Sequence, residues 1–357
     1  MNIAFFVSSL LSAYWNGAAT YYRGLIKALN NRGHSITVYE PDAYDRQQHR
    51  DLEHPNWARV VVYSNDEDAA LHALEAARRG ADMIVKASGI GVFDELLEAA
   101  VLEMKHPLNH IVYCDVDAPA TLERMEHNPG DPFRKLISRY DFIFTYGGGS
   151  PVVRGYESLG AKLCVPIYNG LDPETHHPVA PGPRFEADLG FLGHRLPDRE
   201  ARVEEFFLNA AEQLPERQFL LGGIGWDRKM LPGNVRNLGH VYTPDHNAFN
   251  CTPRAVLNIS RASMARYGFS PATRVFEAAG ASACLITDAW KGIEKFFEPG
   301  EEILVAHSGE EVAAHVVNLT PHRARKIGQA AYRRALRQHT YAQRAEQFEE
   351  ILEGAIV

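Results

Sequence analysis

Residues 258–306 read NISRASMARYGFSPATRVFEAAGASACLITDAWKGIEKFFEPGEEILVA, and this stretch sets the reading of the whole chain. Ala255 to Ile259, at its start, is a short apolar run of the kind a buried parallel strand needs. Ser270 is placed to cap a helix and Pro271 to take its first position, where no amide donor is required. The helix then runs from about Ala272 to Gly280, and Gly280 closes it. Ala283 to Ile286 is the next buried strand. A helix entered from a glycine-containing loop after a strand offers free amides and a positive dipole end to an anion. Arg274 and Glu277 are three apart and share a face of that helix. One can meet a phosphate while the other accepts ribose hydroxyls. The plain alternative is a surface ion pair, which is worth little, and spacing alone favours that alternative.

Working outward, the same alternation fills the chain. Toward the N-terminus, strands are expected at Asn2 to Ser8, Ser35 to Glu40, Arg59 to Tyr63, Asp82 to Ala87, His110 to Cys114, Asp141 to Tyr146 and Lys162 to Ile167. Helical segments separate most of them, so the expected class is α/β with a parallel sheet covered on both faces. Pro166, Pro173, Pro178, Pro181 and Pro183 then crowd a region with few apolar runs, which marks an interdomain linker. The alternation restarts at Asp188 to Leu192, Gln218 to Leu221 and Val235 to Leu238. After the opening stretch come helices at Glu310 to Leu319 and Arg323 to Gln338. The tail carries one apolar stripe of Tyr341, Ala345, Phe348, Ile351 and Leu352.

Ligands of such sheets bind at the carboxyl ends of the strands. Two stretches of the first half sit there. Asp115 and Asp117 follow the fifth strand, where a carboxylate can deprotonate an acceptor hydroxyl. Asp115 is preferred for that role, because Asp117 is also placed to cap the segment from Ala118 to Arg124. Gly147, Gly148 and Gly149 lie between a strand and a helix and let the backbone approach a ligand closely. This turn is neither a Walker motif nor G-x-G-x-x-G.

Composition bounds the rest. A chain of 357 residues suits two domains. A net charge of −8 argues against a dedicated nucleic-acid binder. Cys114, Cys164, Cys251 and Cys284 are far apart, and three of them lie in or beside strand-like runs, so reduced thiols in the cytoplasm are expected. MNIAFFVSSLL lacks a basic leader and reads as a first strand, and no apolar run is long enough to span a membrane. The sixteen histidines show no ligand spacing, and no metal site is expected.

Asn258-Ile-Ser-Arg261, Arg274-Val-Phe-Glu277-Ala-Ala-Gly280, Leu285-Ile-Thr-Asp288 and Phe297-Glu-Pro-Gly300-Glu-Glu-Ile303 together resemble the donor-binding half of GT-B glycosyltransferases. The block is similar to that of the CgeB-like (spore-maturation-protein-like) group. The glycine turn after Tyr146, Asn169-Gly-Leu-Asp172 and His339-Thr-Tyr-x-x-Arg344 extend the likeness. It implies two Rossmann-like parallel-sheet domains facing a central cleft. The expected domains are 1–168 on the acceptor side, a linker over 169–186, a donor domain over 187–338, and a helix over 339–357 crossing back.

The resemblance implies transfer of a sugar from a UDP-, GDP- or dTDP-sugar, a co-substrate rather than a cofactor, without a metal. The acceptor would be a glycan, a protein, a lipid-linked glycan or a small molecule. It assigns Gly193, Arg195, Arg261, Ser270 and Arg274 to the donor side and Glu277 to the ribose. Gly17 takes the place of the first-loop glycines in the cleft, although the usual pair of glycines is absent. Arg199 reads as a helix-surface charge, and Trp226 as a loop-packing residue rather than a base-stacking one. One departure matters: the Glu-x7-Glu of retaining enzymes would begin at Phe269, so neither donor position nor stereochemistry carries over. A sugar-nucleotide epimerase and a scaffold with a degenerate site are the alternatives. A dinucleotide oxidoreductase lacks its fingerprint here.

Overall fold

The computed structural model describes residues 1–356; the end of the expected helix over 339–357 lies outside them. The chain divides into two compact units, Met1–Tyr168 with Tyr341–Val357, and Asn169–Thr340.

In the first unit, β1 (Asn2–Phe6), α1 (Ala19–Asn31), β2 (Ser35–Pro41), β3 (Arg59–Tyr63), α2 (Glu67–Arg78), β4 (Met83–Ala87) and α3 (Asp94–Ala100) follow in order. Next come β5 (His110–Asp115), α4 (Ala118–His127), β6 (Phe142–Thr145), α5 (Gly149–Ser158) and β7 (Cys164–Pro166). The seven strands are parallel, in the order β3-β2-β1-β4-β5-β6-β7.

The second unit holds β8 (Leu189–Leu192), α6 (Pro197–Val203), α7 (Asn209–Gln213), β9 (Phe219–Gly222), β10 (Val235–Asn237), α8 (Thr243–Cys251) and β11 (Ala255–Asn258). It continues with α9 (Ala262–Tyr267), α10 (Thr273–Gly280), β12 (Leu285–Asp288), β13 (Leu304–Ala306), α11 (Gly309–Asn318) and α12 (Pro321–Gln338). Its six parallel strands run β10-β9-β8-β11-β12-β13. Both sheets therefore reverse direction beside their first strand, at β1/β4 and at β8/β11, the switch points where doubly wound sheets bind ligands.

Each sheet is apolar on both faces because helices cover both. Phe5, Val38, Val85, Val112 and Phe144 anchor the first core, and Leu189, Phe191, Leu257, Ile286 and Leu304 the second. The final helix, α13 (Tyr341–Ile356), belongs to the first unit. Its Tyr341, Ala345, Phe348 and Leu352 join that core. Gly24 on α1 makes room for it: a Cβ there would lie 2.1 Å from ring atoms of Tyr341.

Residues 169–186 are not a free linker but part of the second unit. Asn169 is buried and donates to the carbonyl of Pro271, 2.9 Å away, and Leu171 bridges to Thr340. The segment lies against α8, where the Cys251 thiol donates to the Val179 carbonyl at 3.5 Å, and against α10, where a Cβ on Gly280 would lie 2.4 Å from Leu171. Ser270 does not cap α10. The helix begins at Thr273 with Ala272 as its cap, while the Ser270 hydroxyl donates to the carbonyl of Gly268 at 2.9 Å. Among the described residues, no helix is long and apolar enough to cross a membrane.

Candidate functional site

The second switch point gathers charge. After β8 the chain turns at Gly193 and His194, and α6 starts at Pro197. Helical side chains lean toward their own N-terminus. Arg199, in the first turn, therefore folds back over the loop. Its Nη2 donates to the His194 carbonyl, and its guanidinium lies over the Phe191 ring. A Cβ on Gly193 would sit 2.8 Å from Arg199 Nη2 and 3.0 Å from the Phe191 ring, so a larger residue there would displace the guanidinium. Arg199 Nε is buried without a hydrogen-bond partner. Desolvation first, then the charges of Arg261 and Arg274, lower its pKa to about 10 against the pull of Asp198 and Asp288.

Arg195, the residue expected at the diphosphate, is turned to a surface network instead. It forms a bidentate pair with Glu200 at 2.7 and 2.9 Å, and Glu200 also meets Lys229. Arg195 thus lies in a surface network while Arg199, expected as a helix-surface charge, folds inward, because one precedes the helix and the other lies within it. Arg261, at the cap of α9, pairs with Asp198. Behind them Asp288, wholly buried at the end of β12, accepts from the amide and hydroxyl of Ser260 and from Arg202. That carboxylate locks the ends of β11 and β12 to α6.

Arg274 and Glu277 do pair, Nη1 to Oε2 at 3.0 Å, but not on the surface. Their side chains are 16% and 4% exposed. Helix α10 has no side-chain cap, which leaves its first amides available. His194 accepts a hydrogen bond at Nδ1 from the Ile224 amide at 3.0 Å. Burial, then His240, Arg199 and Arg274, push its pKa down to about 4. Trp226 is fully buried and donates from Nε1 to the Gly193 carbonyl at 2.8 Å, so it packs the loop. Phe269, where the missing glutamate would stand, has φ of +49°, an unusual value for an aromatic residue.

Two residues absent from the sequence reading complete this region. His176 and His246 flank Glu277, and one ligand-type atom from each of the three lies within 4.8 Å of the others. Burial lowers the pKa of His176 and pushes that of His246 to about 4. Arg199 carried a signal that could have been used, namely a cation in the first turn of a helix that opens with proline. The histidines carried none.

In the first unit, Asp115 is wholly buried and its oxygens are occupied. They accept from Ser88 Oγ at 2.7 Å, the Asp117 amide at 3.0 Å and the Tyr156 hydroxyl. With these partners in place, the Asp115 carboxylate has no open face for an acceptor hydroxyl. Asp117 starts α4 without making a side-chain cap and is half-buried. Gly147, Gly148 and Gly149 are buried at the start of α5; Gly148 has φ of +89°, and a Cβ there would lie 1.9 Å from Val152. Gly17 is exposed, with nothing within 4 Å of a Cβ, so nothing in the structure demands glycine there. The loop before it is shaped by Glu40, a buried residue of β2 whose carboxylate accepts from the amides of Leu10 and Leu11, from Ser9 and from Gln47.

The structure thus brings Gly193, Arg261, Arg274 and Glu277 to one switch point of the second unit, adds Arg199, and turns Arg195 away. Asp115, Asp117 and the glycine turn meet at the ends of β5 and β6 in the first unit.

Residues 199–350 match a family model described as glycosyl transferase-like. No curated protein matches the chain by sequence. Among solved structures, a sucrose-phosphate synthase from Thermosynechococcus elongatus superposes with a TM-score of 0.74 at 14% identity, over 100% of this chain and 99% of that one. Anabaena Alr3699/HepE in complex with UDP and glucose gives 0.68 at 14%, over 99% and 100%. A lipopolysaccharide outer core galactosyltransferase, WaaB, gives 0.60 at 12%, over 99% of each chain. The chain therefore has the GT-B fold of two Rossmann-like parallel-sheet domains, with a glycosyl transferase-like sequence over residues 199–350.

Proposed function

We propose that the protein is a nucleotide-sugar-dependent glycosyltransferase of the CgeB-like group, working in the cytoplasm on a glycan or glycoconjugate. The observation that carries this reading is the arginine cluster at the second switch point. Arg199 is held, desolvated, near Arg261 and Arg274. Clustered like charge is costly until an anion arrives, so the site is prepared for a diphosphate. Glu277, one turn along α10 from Arg274, then accepts the ribose hydroxyls. HepE, which shares this fold, has been crystallised in complex with UDP and glucose, and we extend that kind of ligand to this chain.

In the transfer step the acceptor oxygen bonds to the anomeric carbon of the donor sugar. The bond from that carbon to the diphosphate oxygen breaks, and the acceptor proton passes to the Asp117 carboxylate. Asp115 holds the Asp117 amide and so acts as a positioning residue. Negative charge grows on the leaving diphosphate, where α10 amides and the arginines stabilise it without a metal.

The test is thermal shift with UDP, GDP, dTDP and CDP in the presence of EDTA, on wild type and on Glu277→Ala. A ligand that binds only the native state raises the melting temperature. A selective rise with one diphosphate that disappears in the variant supports the site. No rise with any of them removes the donor assignment.

A further inference from the structure

We propose that His176, His246 and Glu277 form a binding site for a divalent transition-metal ion of the zinc class, held within the second unit and sharing Glu277 with the proposed donor site. The three residues come from three elements: the segment after Asp172, α8 and α10. Their ligand atoms lie within 4.8 Å of one another, close enough for one ion to be shared after small side-chain adjustments.

Both imidazoles present a nitrogen with nothing to do. His176 Nε2 and His246 Nδ1 are buried and make no hydrogen bond. Buried polar atoms of this kind are rarely left unpartnered. His246 Nε2 meets the carbonyl of Val241 at 3.1 Å. Only a protonated nitrogen can donate to that oxygen, so Nδ1 carries the lone pair. A backbone carbonyl behind the ring is the usual means of orienting a metal-bound histidine.

The surroundings are built to hold this geometry. Asn247, next to His246, donates to the Thr175 carbonyl at 2.9 Å and accepts from the His177 amide at 3.3 Å. The segment carrying His176 is thereby clamped to α8 from both sides of the ring. Gly280 on α10 admits the same segment: a Cβ there would lie 2.7 Å from the His176 carbonyl oxygen.

The ion would take over a carboxylate oxygen now 3.0 Å from Arg274 Nη1, releasing that guanidinium. A neighbouring positive charge disfavours weakly held ions. Imidazole ligands with one carboxylate favour zinc, copper or cobalt over magnesium and calcium. Such an ion would fasten the 172–177 segment, α8 and α10 together.

The proposal does not depend on the glycosyltransferase reading, and its test uses no nucleotide. Protein stripped with chelator and then freed of it is titrated with Co2+, followed by visible d–d absorption, and the ion is then displaced with Zn2+. One ion per chain is expected in wild type and in the exposed-histidine control His322→Ala. His176→Phe and His246→Leu, which keep side-chain volume, should each weaken binding by more than the roughly 10–100-fold that loss of an outer-shell partner costs. Nitrogen NMR of the wild-type imidazoles needs no variant: Zn2+ should shift His176 Nε2 and His246 Nδ1. Absence of binding to wild type, binding that survives in both folded variants, or unmoved resonances at these two nitrogens would each overturn the assignment.

Discussion

Arg199→Met separates what the second unit needs for stability from what it needs for its ligand. The guanidinium pKa falls from 12.5 to about 10 in the folded chain. That displacement corresponds to about 3 kcal/mol of unfavourable environment for the charged form, taken as an upper bound. Its hydrogen bond to the His194 carbonyl returns about 1 kcal/mol, and its place over the Phe191 ring about 0.5 kcal/mol. The balance leaves the arginine costing the free protein about 1–2 kcal/mol. Methionine keeps an unbranched stem on Phe191 and removes the charge. The ligand-free variant should therefore melt roughly 2–8 °C higher, using the dependence for a domain of this size. The same change deletes one charge-assisted contact to a diphosphate, worth about 1.5–3 kcal/mol, so affinity for the selected nucleoside diphosphate should fall roughly 10–150-fold. Calorimetric melting and isothermal titration on the same preparations read both effects. A variant that melts lower than wild type and binds the nucleotide equally well would refute the reasoning, because Arg199 would then be a structural cation.

Three further outcomes follow from the geometry. His194 stays neutral in the fold, with a pKa near 4 set by burial, His240, Arg199 and Arg274. Below pH 6.5 the unfolded chain takes up a proton that the native chain refuses, so stability drops as pH falls toward about 4, by at most about 3 kcal/mol. Urea unfolding at pH 7 and 4.5 should show a shallower dependence in His194→Gln, and an identical dependence would count against it. Asp117→Asn should lower kcat roughly 10²–10⁴-fold at unchanged melting temperature, whereas Asp115→Asn should cost about 1–3 kcal/mol of stability; the reverse pattern would return the base to Asp115. Gly24→Ala forces a methyl onto the Tyr341 ring and should destabilise by about 1–2 kcal/mol after the gain in helix propensity, with nucleotide affinity unchanged. A variant as stable as wild type would mean that α13 yields easily.

The sheets were legible in the sequence because parallel strands covered on both faces become short apolar runs, and both halves carry them in alternation with helices. Carboxyl-end loops could likewise be located, since strand ends can be counted. Side-chain direction could not. Arg195 and Arg199 are four residues apart, and which of them turns inward depends on where α6 begins. Ser270 has the right chemistry for a cap, but the chain adds two more extended residues before α10 and the hydroxyl is used locally. Arg274 and Glu277 were readable as a pair, whereas their burial arises from the 169–177 segment and α8, which approach from elsewhere in the sequence. The histidine cluster was invisible for the same reason: its members share no periodicity, only a place in the tertiary structure. Asp115 illustrates the converse, since a carboxylate at a strand end looks chemical until Ser88 and Tyr156 fill its lone pairs.

The place of α13 has a consequence for biosynthesis. Its four core residues reach the first unit only after all of Asn169–Thr340 has been translated. At about 5–20 residues per second, ribosomes need roughly 10–30 s to cover that distance. Throughout this interval the nascent first unit leaves bare the apolar surface where Tyr341 will later rest on α1 and Phe348 against Phe144. The second unit, continuous in sequence, can finish first. Holding the incomplete partner soluble is then a task for chaperones, and anything that stalls translation inside the second unit lengthens the time for which that surface is open to aggregation.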